Sequence, residues 1–222
     1  MNLNIKSKSK KYRGYMIAKY LFSHQEIRQH LLGCLEIALF MGKGPERFNA
    51  DKASMQRSFL IPLFFLPISI GIVLSAHPSG ALNAASMYAL AGIYTLRLFV
   101  YLGAYLGMIY AMTRALNTCT EEQQQDFYRF ATANNWLTIP AAMLMAPLVL
   151  SFLSGNHEWG EIYPLMVFIA LYSYAYTAYM ASRVMRIPVE LGVFVAIAGM
   201  AIHQTSLDVI KQLAVGVIQM IA

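Results

Sequence analysis

"SFLIPLFFLPISIGIVLSA", residues 58–76, runs without a single charged residue after a strongly polar stretch, and its reading decides the fold. A helix rises about 1.5 Å per residue, so this segment alone nearly matches a hydrocarbon core about 30 Å thick. Four more apolar runs follow, at about 84–113, 134–153, 162–182 and 187–220. The whole chain has 58% apolar and 13% charged residues, whereas a soluble domain carries roughly a quarter charged. Five helices of this kind in 222 residues leave little room for a soluble domain. The fold class is therefore all-α, an integral membrane bundle of about five transmembrane helices preceded by an N-terminal interfacial amphipathic helix. Residues 1–57 form a basic tail, the interfacial helix and a loop; residues 58–222 form the transmembrane domain.

Upstream of the first span, "MGKGPERFNADKASMQRSF" is polar, and Gly42, Gly44 and Pro45 end whatever helix precedes it. A new helix starts near Asp51 or Ser54. Before that loop, residues 24–41 place Ile27, Leu31, Leu35 and Leu39 four apart along one helical face, with Glu26, His30 and Glu36 elsewhere. Their apolar parts are too short to span, which implies a helix lying on the inner leaflet. Residues 1–20 carry Lys6, Lys8, Lys10, Lys11, Arg13 and Lys19 and no acid. Such a tail is drawn to anionic lipid by roughly 1 kcal/mol per basic residue. Lipid bilayer is the expected partner, and nucleic acid is not.

Charge placement orients the bundle, because short loops rich in Lys and Arg stay cytoplasmic. With the N-terminus inside, the tail, Arg28, Lys43, Arg47, Lys52, Arg57, Arg114, Arg129, Arg183 and Arg186 are all internal, fifteen of seventeen basic residues. The outer loops near 77–83 and 154–163 hold none. The C-terminus is then outside. Cys34 and Cys119 both fall on the cytosolic side, where a structural disulfide is not expected. No signal peptide is expected, since the first residues are basic and polar.

The two remaining basic residues, Arg97 and Lys211, fall inside spans. A charge at mid-membrane costs roughly 2.5 to 3.5 kcal/mol on insertion scales, so Arg97 needs company. Tyr94 and Tyr101, at i−3 and i+4, offer ring faces and hydroxyls. In the last span "AIHQTSLDVIKQL", residues 201–213, adds His203, Gln204, Asp208 and Lys211. Helical geometry turns His203 about 140° from Asp208, and helix rise puts His203 nearer than Asp208 to the depth of Arg97. Two readings stay open. Either Arg97, His203, Gln204 and Asp208 form a polar intramembrane site, or Asp208 pairs locally with Lys211 where the helix emerges or breaks, with Thr205 capping a new turn.

Small residues suggest how helices meet: Gly103 and Gly107 on the second span, and Gly192 and Gly199 on the last, could face one another or a second copy of the chain. Pro62, Pro67, Pro140 and Pro147 imply kinks. Tyr172, Tyr176 and Tyr179 form a stripe best explained by packing. His77 and His157 stand in outer loops without the carboxylate or cysteine company a metal site needs, so no metal and no cofactor is expected.

A cytosolic N-terminal region, five closely spaced helices and the stretch "RFNADKASMQRSFLIPLFFLP", residues 47–67, resemble the Yip1-type family of small polytopic membrane proteins, in its uncharacterised bacterial members. The Asp-Leu-Tyr-Gly-Pro type motif of the eukaryotic proteins is absent, so their traffic role is not carried over. The resemblance implies a five-helix membrane fold without catalytic residues, in a bacterial inner membrane. Three function classes follow: a noncatalytic protein that organises membrane or partner proteins, a small transporter or channel using Arg97 and His203, and an intramembrane enzyme. The last lacks a Gly-x-Ser-x-Gly elbow, paired aspartates or a His-Glu-x-x-His run.

Overall fold

The computed structural model describes residues 22–75, 84–116 and 120–221. These residues form helices α1 (His24–Ala38), α2 (Lys52–Ser58), α3 (Leu60–Ser75), α4 (Ala84–Leu116), α5 (Thr120–Trp136), α6 (Thr138–Leu153), α7 (Trp159–Met185) and α8 (Val189–Ile221), with a 3-10 turn over Gly44–Arg47. Five stretches are long and apolar enough to cross a membrane: Lys52–Ile72, Met87–Leu116, Glu121–Leu153, Gly160–Met185 and Val189–Ile210. The chain is thus an all-helical bundle of membrane-protein type.

Two of those stretches are broken, each three residues ahead of a proline, whereas Pro67, Pro147 and Pro164 sit inside unbroken helices. A proline ring collides with the carbonyl four residues back. Pro62 therefore acts on Ser58, the last residue of α2, and Pro140 acts on Trp136, the last residue of α5. Helix stops at both places and resumes after Phe59 and Leu137. The two corners are tied together by Asn135, whose side-chain amide donates to Ser58 Oγ at 2.9 Å. Beside the second corner, the Leu137 carbonyl accepts from the Tyr176 hydroxyl at 3.3 Å.

Residues 114–133, read from sequence as a connection, are mostly helical, since α5 begins at Thr120. Its composition, "TEEQQQDFYRFATANNW", hid it from an apolar search. Yet Phe130, Ala131, Ala133 and Trp136 are buried to 2% exposure or less. Polar residues near its start face outward, while its end is surrounded by α1, α2 and α7.

Helix α1 is the amphipathic helix expected over residues 24–41. It is capped by Ser23, whose hydroxyl accepts from Glu26 N at 3.1 Å. The stripe Ile27, Leu31, Leu35 and Leu39 is exposed, whereas Glu26, His30, Cys34 and Ile37 on the other face are buried. The helix is therefore clamped to α5 and α7 by its mixed face and turns its purely apolar face outward. Gly33 permits this closeness, because a Cβ there would stand 2.7 Å from the Phe48 ring.

The core lies at one end of the bundle. Tyr105 and Ile109 of α4, Phe130 of α5, Tyr176 and Met180 of α7, and Val195 of α8 meet there beneath α1 and Phe48. At the other end the same helices, with α3 and α6, keep large apolar side chains exposed. Helices α7 and α8 close on each other because Gly192 has no Cβ to strike the Ala178 carbonyl.

Candidate functional site

Between the packed end and the open end lies a cavity of about 380 Å³. Its walls come from α3 (Phe65, Leu66, Ser69), α4 (Tyr94, Arg97, Tyr101), α5 and α6 (Asn134, Asn135, Thr138), α7 (Tyr176, Thr177) and α8 (His203). Both proline corners contribute, through Pro62 and Leu137.

Arg97 and His203 meet in it. One guanidinium nitrogen, Nη2, lies 2.7 Å from His203 Nε2 and 3.1 Å from Nδ1. A guanidinium only donates, and an imidazole offers an acceptor nitrogen only when neutral, so the contact calls for uncharged His203. Tyr94 lies beside the cation, its ring centroid 5.9 Å from the guanidinium carbon. Tyr101 meets the His203 ring edge to face at 5.2 Å and stacks on Tyr105 at 5.7 Å. Arg97 Nε is buried and has no hydrogen-bond partner. Arg47 pairs with Glu36, Arg57 with Glu26 and His157 with Glu161, and none of these ion pairs involves Arg97.

The other residues singled out in the sequence divide. Gln204 and Asp208 are exposed and outside the cavity wall. Helix α8 runs unbroken through them, so Thr205 caps no new helix. Ser206 bonds back to the His203 carbonyl at 2.8 Å within that helix. The side chain of Lys211 lies outside the described residues. Gly103 and Gly107 face open space, while Gly192 sits against α7 and Gly199 against the Tyr105 ring of α4. The two small-residue faces therefore do not pack on each other within the chain. Tyr172 and Tyr176 point into the packing, donating to the carbonyls of Ala38 and Leu137. The basic tail, the outer loop with His77, and Cys119 lie outside the described residues.

Sequence reading missed the cavity amides and a buried cluster at the packed end. Glu26 accepts from Ser54 Oγ at 2.6 Å and from Arg57 Nη2 at 2.8 Å. Burial alone would raise the Glu26 carboxyl, but these hydrogen bonds and the Arg57 charge outweigh it and hold the group below the ordinary range. His30, fully buried, stacks on Phe48 at 5.2 Å and meets Trp136 edge to face at 4.9 Å. Desolvation pushes its pKa down, so it serves as a neutral aromatic. Burial likewise pushes the Cys34 thiol up, leaving it inert. Their signal was helical spacing: Glu26, His30, Cys34 and Ile37 repeat at four, four and three.

No family model matches this chain, and no curated protein or solved structure matches it either.

Proposed function

We propose that this protein is a noncatalytic multi-pass membrane protein that organises the bilayer surface, or partner membrane proteins, through α1. One observation carries the reading: Ile27, Leu31, Leu35 and Leu39 are 36%, 41%, 56% and 59% exposed on a helix whose opposite face is locked into the core. A free amphipathic helix chooses its own orientation, but this one is presented by the bundle. Arg28, also on α1, and the basic residues of 1–20 favour an anionic leaflet. The charge bias supports a cytosolic N-terminus and an external C-terminus, and the Yip1-type layout supports a bacterial inner membrane. The test is reconstitution into phosphatidylglycerol-containing vesicles of the parent and of Leu31→Glu/Leu35→Glu. The parent clusters or reshapes vesicles and the variant does not; equal vesicle morphology for both refutes the role.

A second reading, a small transporter or channel, is favoured by the Arg97–His203 cavity. Ionisable groups at membrane depth commonly mark a pathway. Reconstituted His203→Ala then loses solute flux relative to the parent.

A further inference from the structure

We propose that the cavity beside Arg97 binds an amphiphilic anion, a carboxylate or phosphate on a short apolar body, whose charged group bonds to the Arg97 guanidinium. The inference rests on the cavity reading above but concerns binding, and it holds whether or not the ligand is moved.

Charge comes first. Arg97 keeps its proton under all ordinary conditions, and it lies within the Met87–Leu116 span. A cation at that depth is costly unless an anion or water compensates it. Its contacts among the described residues are with neutral groups, the His203 imidazole and the Tyr94 ring. These orient the guanidinium and leave its charge unbalanced.

Unused donors come second. The guanidinium has N–H groups on three nitrogens, and the contacts among the described residues engage Nη2 alone. Nε is buried and without a partner. A carboxylate or phosphate is the acceptor that fits a planar fork, by two parallel hydrogen bonds. The same chain makes that bond elsewhere: Arg47 binds Glu36 through Nε at 2.6 Å and Nη2 at 2.5 Å.

Space and lining come third. The cavity, about 380 Å³, has the size of a small-ligand site, mostly apolar with a few converging polar groups. Phe65, Leu66 and Leu98 would receive the apolar body, and Asn134 and Thr138 offer further donors beside the head group. Neutral His203 acts as a place-holder. It occupies one guanidinium nitrogen while the site is empty and can give way to a charged acceptor, whose hydrogen bond is stronger.

The head group could come from a soluble organic acid or from a lipid, and the experiment separates them. Purified protein in uncharged detergent is titrated with hexanoate, hexanol, dodecyl phosphate and dodecanol, with binding read from protein-observed methyl NMR. The proposal expects hexanoate to bind at least tenfold tighter than hexanol, or dodecyl phosphate at least tenfold tighter than dodecanol, each anion against the neutral alcohol of its own chain length. Hexanoate binding points to a soluble acid; dodecyl phosphate binding alone points to a lipid. Arg97→Gln should lose the tenfold preference, and Gly107→Ala, at a position outside the cavity with nothing within 4 Å, should retain it. Equal binding of each anion and its own alcohol, or no anion binding by the parent, overturns the proposal without any variant having to fold. Anion binding without flux leaves the proposal standing and removes the transporter reading. Flux with no anion preference does the reverse.

Discussion

At the packed end Tyr105, Ile109, Phe130 and Val195 are 1%, 0%, 0% and 0% exposed, while at the open end Phe64, Tyr88, Met143 and Leu150 are 70%, 79%, 71% and 66% exposed. Both regions are helical, and α4 runs through both, so the difference is not one of secondary structure. The packed end is built as a soluble protein is, with aromatic rings interlocked and the Glu26 carboxylate held by Ser54 and Arg57. The open end relies on lipid. Apolar side chains there gain little by leaving the bilayer for a protein interior, because hydrocarbon surrounds them either way. Close packing is found where it is rewarded, and the cavity lies at the boundary.

The comparison breaks most sharply at glycine. Gly192→Ala puts a Cβ against the Ala178 carbonyl, backbone that cannot give way. We expect a loss of about 3 kcal/mol, the upper end for overpacking, seen as a fall in folded yield on size exclusion. Gly107→Ala, where nothing lies within 4 Å, should leave yield and Tm unchanged.

Next comes charge. Glu26→Ala strands Arg57, the two side chains being 10% and 21% exposed. The expected cost is about 3 kcal/mol, as for a buried pair that loses one partner, read from thermal unfolding in detergent. His157→Ala breaks the exposed pair with Glu161, with side chains 55% and 62% exposed, and should leave unfolding unaltered.

Acid should discriminate between the regions more gently. His30 is held neutral in the fold, whereas the unfolded chain takes up a proton near the ordinary value of 6.5. Its contribution is complete above that value and is lost as pH falls towards the lowered folded one. Glu26 adds a loss at lower pH, since its stabilisation is present above the ordinary value of 4.5 and disappears as pH falls through the depressed one. Tm should therefore drop between pH 7 and 5. His30→Phe, which keeps a ring between Phe48 and Trp136, should flatten that drop. Equal slopes for parent and variant would assign it elsewhere.

The smallest effect belongs to the boundary. Tyr176→Phe removes the hydroxyl that serves the Leu137 carbonyl at the second proline corner. A single neutral hydrogen bond is worth about 1 kcal/mol, so Tm should fall slightly.

Legibility followed the same division. Apolar runs announce themselves, so the five lipid-facing stretches and the start of α2 at Asp51 were readable, the latter because its carboxylate accepts from Ser54 N at 2.8 Å. The tyrosines flanking Arg97 and its match in depth to His203 followed from helix rise and periodicity alone. Helix α5 was not readable, because Gln, Asn and Thr occupy a helix whose end is buried by its neighbours. The apolar stripe of α1 was readable from its four-residue spacing, but not that Glu26, His30, Cys34 and Ile37 on the other face would be buried. Pro62 and Pro140 were visible as kinks, but not that their corners would be joined by Asn135 and Ser58.

By itself the sequence determined a helical membrane chain, the number of its apolar spans and the residues that could not sit in lipid unaccompanied. These follow from local composition and spacing, properties of a helix considered alone. Only the tertiary structure decided which glycines are contacts, that the mixed face of α1 is buried, and that Arg97 meets His203 rather than Asp208. Those outcomes depend on how helices distant in sequence come together, and no single segment encodes its neighbours.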